Sequence, residues 1–441
     1  MVKTAASPQA PTGGPSLKQS ESLGTGFALL IAAQFASALA DNALLIVTMA
    51  LLQAGGYPAW WAPMLKVAFT LAYVVLAPFV GPLADAMPKA RLMAWMNLVK
   101  ILGALGLIAG LHPLAAFAVV GLGAAAYAPA KYGLITEIVS AKSLVRANAW
   151  LEVSVVCAAL LGAAIGGFLV SPMWHGLTAN WPQQLGWAPP TIDAIGALSL
   201  LDSALGMSLL TLLGVYGIAA ALNFGIPDSG AKYPTSHLRI GALVKEFVQA
   251  NRLLWRDRDG ALSLTVTTIF WGVGATLQFA VLQWATQVLR LPLDQASYLQ
   301  AAVAAGVIAG AAAAGRWVPL SQAKHMLVAG VGMGLLMTAL SFVDNLGLAL
   351  PLLVAVGAVG GLLVVPLNAL LQHRGCTLLS AGRSVAVQGF NENASVLTML
   401  AAYAGMVALE LPMTTLMCGF GLSIAVAMVA LMWREARRSH L

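Results

Sequence analysis

One pattern governs what this chain can fold into. Apolar runs of about 20 residues or more recur along its length, separated by short polar breaks. They begin near residues 27, 61, 91, 113, 147, 198, 262, 296, 324, 349, 384 and 412. In a bilayer each run satisfies its own backbone hydrogen bonds as a helix, and lipid covers the apolar side chains. Charged residues are 9% of the 441 positions, against about 25% in a soluble domain. The pattern predicts an all-α integral membrane protein with twelve transmembrane helices.

Lys and Arg set the orientation. With both termini in the cytoplasm, Lys89, Arg91, Lys142, Arg146, Lys245, Arg252, Arg256, Arg316, Arg374, Arg383 and Arg434 fall inside, and only Arg290 and Lys66 fall outside. That asymmetry follows the positive-inside rule. The net charge of +7 therefore reads as topology and not as a nucleic-acid surface. Residues 1–25, rich in Pro, Gly, Ser and Thr, read as a disordered cytoplasmic tail without a signal peptide. Cys157, Cys376 and Cys418 lie far apart among apolar neighbours, so no disulfide, metal or other cofactor is expected.

A basic stretch from Pro227 to Gly260 divides the chain. The expected organisation is an N-terminal six-helix bundle at 26–228, a cytoplasmic inter-bundle loop at 229–260, a C-terminal six-helix bundle at 261–433 and a basic tail at 434–441. An internal repeat supports the division. "GAAAYAPAKYGLI" aligns with "GGLLVVPLNALLQ", placing Pro129 on Pro366 and Lys131 on Asn368. Downstream, "SAKSLVRANAWLE" aligns with "SAGRSVAVQGFNE" after one insertion, placing Asn148 on Gln388 and Glu152 on Glu392. Paired halves are the mark of a transporter whose site lies at mid-membrane between them.

Polar residues inside the spans fall at helical spacing. Gln34, Ser37, Asp41 and Thr48 form one stripe, with Asn42 beside it; Gln388, Asn391, Glu392 and Ser395 form another. Tyr127 with Lys131, Asn148 with Glu152, Asn368 with Gln372, and Trp271 with Gly274 and Gln278 make shorter ones. Such groups are costly in hydrocarbon, so the expectation is that they line one shared central cavity. Asn97, Asn223 and Asn393 read as helix-bridging groups, and Lys100 as a residue that snorkels or pairs structurally. Glu137 and Arg146 read as stabilisers of the inner gate. No H-x4-D, Walker or G-x-S-x-G pattern is present, which argues against an enzyme or an ATP-driven pump.

The loop "GPLADAMPKARLM" resembles the signature loop of the major facilitator superfamily at Gly81, Leu83, Ala84, Asp85 and Lys89, and departs from it at Ala86 and Pro88. Asp85, Lys89 and Arg91 are accordingly the expected gating residues. "AQFASALADNALL", "GAAAYAPAKYG", "TIFWGVGATLQF", "VVPLNALLQHRG" and "AVQGFNENA" resemble the lysophospholipid transporter family of that superfamily, over about Phe27 to Trp433. The resemblance implies the major facilitator fold and inward movement of lysophosphatidylethanolamine and lysophosphatidylglycerol across a bacterial inner membrane. It implies no ATP or ion gradient, a monomer among membrane lipids, and a functional link to a cytoplasmic re-acylating acyltransferase. Lys131 would then meet the phosphate and Asp41 the ammonium of the head group or, when empty, Lys131. Asn368, Gln388, Asn391 and Glu392 would add hydrogen bonds. Gln278 stands where the family has an arginine, the natural partner of the first-span aspartate. The outer loop at 172–197, with Trp174, Trp181 and Trp187, is longer than the family's. The competing expectation is a facilitator for another amphipathic molecule or drug, coupled to protons through Asp41 or Glu392.

Overall fold

The computed structural model describes residues 24–57, 61–178, 204–231, 239–291, 293–409 and 411–439. The expected tail before residue 24 and the loop tryptophans Trp181 and Trp187 lie outside them.

The helices are α1 Thr25–Ala54, α2 Trp61–Ala86, α3 Lys89–Ile108, α4 Pro113–Ile138 and α5 Leu144–Leu169. The short α6 Pro172–Thr178 and then α7 Ala204–Phe224 complete the first half. After α8 Ile240–Arg256 come α9 Arg258–Gln287, α10 Leu293–Trp317, α11 Leu327–Leu340, α12 Leu346–Leu378, α13 Ala381–Ala408 and α14 Met413–Ser439. Among the described residues, 11 helical segments are long and apolar enough to cross a membrane. The twelfth long helix, α13, is not among them because Gln388, Asn391, Glu392 and Asn393 cluster in its first half.

Local chemistry sets the helix ends. Gly56 and Gly110 take positive φ just past α1 and α3, a backbone that glycine adopts without strain. His112 accepts a hydrogen bond from the Leu114 amide ahead of Pro113, Asn345 from Leu348, and Asp257 from Gly260, so free N–H groups of three helix starts are capped. The stretch 229–260, expected as a loop, contains the 17-residue α8. Its Leu243, Phe247, Ala250 and Leu254 repeat at helical spacing, and its charges hid that signal. Helix α14 runs to Ser439, so Arg434 and Arg437 extend a helix and do not begin a separate tail. Trp174, expected on the 172–197 loop, lies in the short α6 and is buried against the first half, 5.6 Å from the Phe168 ring.

In the first half α1 packs on α5 and α7, α3 on α4 and α7, and α2 on α4. In the second, α10 packs on α12, α11 on α14 and α9 on α13. Gly306, Gly310, Gly357 and Gly361 bring α10 and α12 together so closely that a side chain on any of them would strike the facing backbone. This is small-residue packing, which substitutes for hydrophobic drive where lipid is as apolar as the helix. The halves meet chiefly along α2 with α13 and α5 with α10, and further along α4 with α13 and α5 with α12. One apolar cluster bridges them, joining Ala130, Leu134, Ala147 and Leu151 to Ala311, Ala314, Val364 and Val365.

Candidate functional site

Above that cluster the halves part around a cavity of about 590 Å³. Lys66 and Tyr73 of α2, Leu160 of α5, Val281 of α9 and Leu353 of α12 reach its outer part. Its polar wall carries Lys131, Tyr132, Glu152, Gln388, Glu392 and Asn393; most of the remaining lining is Val, Ala, Leu, Phe and Met. The site is therefore amphipathic, with charge gathered at depth.

Lys131 is 9% exposed, donates to Gln34 Oε1 at 3.4 Å, and stands 4.5 Å from the Tyr132 ring centre. Gln34 in turn donates to Ser154 Oγ at 3.1 Å. Glu152 lies within electrostatic reach of Lys131, yet Lys131 forms no ion pair within 4.0 Å among the described residues. On the opposite wall Gln388 donates both to Glu392 Oε1 at 2.8 Å and to Asn368 Oδ1 at 2.9 Å. In the aligned repeats Lys131 and Glu152 of one half share the cavity wall without an ion pair, while their counterparts Asn368 and Glu392 of the other are joined through Gln388.

Of the thirteen residues expected around the substrate, Lys131, Glu152, Trp271, Gln278, Gln388 and Glu392 line this cavity. Seven do not. Asp41 is held inside the first half: Lys100 Nζ meets its Oδ2 at 2.7 Å and the Tyr216 hydroxyl donates to its Oδ1 at 2.8 Å. Lys100 also donates to Ser37 Oγ at 2.9 Å and faces the ring of Tyr127 at 5.1 Å, so Tyr127 belongs to the same internal cluster. The expected pairing of Asp41 with Lys131 is replaced by this one. Lys100 lies 11 residues, roughly 16 Å, along α3 from Lys89, too deep to reach water by snorkelling. Asn42 donates to Ala38 O of its own helix at 2.8 Å, while its Cβ abuts Gly162 of α5. Asn368 supports Gln388 from behind. Asn391 is drawn out of the stripe by α8, accepting from Trp255 Nε1 at 3.2 Å and donating to Asn251 Oδ1 at 3.0 Å.

Asn148 and Gln372 lie below the cavity and exchange hydrogen bonds of 3.0 and 2.9 Å across the seam between α5 and α12. Further down, Asp85 accepts from the Ser380 hydroxyl and from the Gly382 amide at 3.1 Å, joining α2 to the start of α13. A carboxylate at a helix N-terminus is favourably placed. Lys89 Nζ lies 2.5 Å from Glu137 and 3.8 Å from Asp85. Gly81 sits against the Arg383 and Gly382 backbone, where a side chain would not fit. Arg91 takes no part; it is exposed and forms no ion pair among the described residues. Asp85 and Lys89, two of the three residues expected to gate, thus take part in the contacts at the end remote from the cavity, and Arg91 does not.

The Major Facilitator Superfamily model matches residues 30–391. The lysophospholipid transporter LplT of Yersinia pestis (strain Pestoides F) is 41% identical over 385 residues, 87% of each chain, as is that of Yersinia pseudotuberculosis serotype O:3 (strain YPIII). The chain belongs to the lysophospholipid transporter family. Solved structures show the same fold at low identity. The Escherichia coli fucose:proton symporter FucP gives a TM-score of 0.66 at 16% identity over 92% of this chain and 98% of that one. A bacterial homologue of the iron transporter ferroportin gives 0.68 at 15% identity over 93% and 99%. Gln278, where the sequence resemblance leads one to expect an arginine, lines the cavity with its backbone carbonyl accepting from Gln300 at 2.6 Å. Asp41 takes its cation, Lys100, from α3. The sequence signal for this was Lys100 itself, a lysine at mid-span with no way to reach water.

Proposed function

We propose that this protein is a secondary transporter that carries lysophospholipids inward across the bacterial inner membrane, with both termini in the cytoplasm. The carrying observation is the amphipathic cavity between the halves, together with relatives bearing that name. A lysolipid presents a phosphate and one acyl chain. Lys131, which forms no ion pair within 4.0 Å among the described residues, offers the phosphate a charge-assisted contact, and the Val-, Leu- and Met-lined wall accepts the chain. Lysophosphatidylethanolamine and lysophosphatidylglycerol are the substrates assigned, as free lipids delivered to a cytoplasmic acyltransferase, and the carrier acts as a monomer. No catalytic step is assigned to it.

Uptake of labelled lysolipids by spheroplasts tests the reading. Lys131→Ala should lower uptake at least about tenfold while the protein inserts and unfolds at the wild-type temperature, and Lys131→Arg should keep part of it. Wild-type uptake by Lys131→Ala would remove the phosphate role. A second reading is favoured by Glu152 and Glu392, two acids on the cavity wall: a proton-coupled carrier of another amphiphile. In that case an uncoupler abolishes uptake; in the first, uptake continues.

A further inference from the structure

Helix α8 lies over the end of the α2–α13 seam, and its side chains divide into three stripes. Leu243, Phe247, Ala250 and Leu254 face the protein, the first two against Ala77, Pro78 and Pro82 of α2 and the last two in a cluster with Leu264, Leu371 and Val387. Phe247 and Phe390 meet edge to face with centres 5.3 Å apart. A second stripe is apolar and uncovered: Ile240 is 70% exposed, Val244 40%, Val248 41% and Trp255 39%. The third, alongside it, carries Lys245, Arg252 and Arg256, spaced by seven and four and all exposed, with no ion pair among the described residues.

The depth of α8 identifies what covers the second stripe. Asn251 and Trp255 bond Asn391, which stands 10 residues, roughly 15 Å, along α13 from its first residue. Glu246 pairs with Arg383, near that first residue, at 3.1 Å. The helix therefore rests beside the ends of the spans and not beyond them, where a soluble partner would have to displace lipid. An apolar face flanked by cations is the pattern of a helix lying in the plane of a membrane surface, with its aliphatic side chains at the acyl boundary and its cations among phosphates.

We propose that α8 docks on anionic phospholipid head groups through Lys245, Arg252 and Arg256, and thereby straps the α2–α13 seam to the membrane surface. The cations recognise phosphate on a lipid whose net charge is negative, and the long Arg side chains extend back toward the head groups from their depth. Through the bonds from Asn251 and Trp255 to Asn391, and from Glu246 to Arg383, lipid held on α8 bears on α13. The leaflet, cytoplasmic, rests on the topology proposed above; the lipid contact itself does not.

The test is hydrogen exchange of the 240–256 backbone in the full chain, in nanodiscs of phosphatidylcholine alone and with about a third phosphatidylglycerol. The anionic lipid should slow exchange at least about threefold, and about 0.5 M NaCl should remove most of that slowing. Lys245→Gln/Arg252→Gln/Arg256→Gln, all at exposed positions, should show the phosphatidylcholine rate in both lipids. Equal exchange of the wild type in the two lipids would overturn the proposal, as would slowing that survives the triple substitution or high salt. Since the readout is protection and not uptake, it is independent of which solute the cavity carries.

Discussion

Asn148 and Gln372 each donate to the other's carbonyl oxygen, so two amides from opposite halves of the chain form one closed pair beneath the cavity. With Asp85 on the Ser380 hydroxyl and Gly382 amide, they close one end of the molecule, while the cavity occupies the other. A carrier that alternates must break these bonds to open at the closed end, the cytoplasmic one in the topology proposed above. Each such bond contributes about 0.5–1.5 kcal/mol net, small enough to be broken in every cycle and large enough to bias the resting state.

Replacing both amides with leucine should leave the fold intact, because two apolar groups of similar shape remove the hydrogen bonds without leaving either partner unsatisfied. Gln372→Leu alone should be worse than the double change, since it leaves the Asn148 amide without its partner. Spin-label distances between the outer ends of α1 and α9, at Gln53→Cys and Gln287→Cys, check the resting state. The double leucine variant should shift population toward the shorter, outward-closed distance. An unchanged distribution would mean the amide pair does not hold the inner seam.

Lys100→Met should destabilise the protein by about 3–5 kcal/mol, because it leaves the Asp41 carboxylate without its cation inside the membrane. Asp41→Asn in the same chain should recover much of the loss. The measurement is thermal unfolding in detergent of the two single variants and the double. Additive losses would show that the 2.7 Å contact carries no coupling.

These two sites show where the sequence was informative. Run length placed the starts of the other spans to within a few residues, the sixth, expected near 198, lying outside the described residues, since an apolar stretch must match the bilayer wherever it sits in the fold. Gln388 and Glu392, which spacing put on one stripe, line the cavity wall. Spacing failed for Asn391, at the edge of the same stripe, because α8 covers that edge, and α8 was hidden in a charged segment. It also failed for Asp41, Tyr127 and Asn148, because helical spacing says which residues share a face but not whether the face meets a cavity, a helix of its own half, or the opposite half. Tertiary partners decide that.

At the surface, Asp257 accepts from Arg374 at 2.9 and 2.7 Å and from the Gly260 amide at 2.9 Å. The Arg374 guanidinium holds its carboxyl below the usual carboxylate value, with the amide adding to the effect. A group that binds protons less readily when folded adds stability above its unfolded pKa of about 3.9, and that contribution is lost as pH falls through the lower folded value. Asp257→Asn keeps a side-chain cap for the helix but removes the charge facing Arg374, so it should lower the unfolding temperature at neutral pH by an amount corresponding to at most about 1 kcal/mol for a partly exposed ion pair, and the gap from wild type should narrow below about pH 4. A gap constant down to pH 2 would assign the loss to packing.

The two acids on the cavity wall should separate head groups by charge. Glu152 lies near Lys131, and Glu392 is fixed by Gln388 across the cavity. A zwitterionic head brings an ammonium as well as a phosphate, so it can satisfy a carboxylate and Lys131 at once; a glycerol head brings only the phosphate charge. Glu392→Gln keeps the size of the side chain and its capacity to accept from Gln388, but removes the charge. Uptake of lysophosphatidylethanolamine should fall several-fold, while lysophosphatidylglycerol, relieved of an acid near its phosphate, should be unchanged or faster. Glu152→Gln should act in the same direction, because a carboxylate within electrostatic reach of Lys131 can meet the ammonium of a head group whose phosphate rests on that cation. Equal losses for both lipids would mean that these carboxylates maintain the cavity and do not read the head group, and the ratio of the two uptake rates in each variant distinguishes the cases.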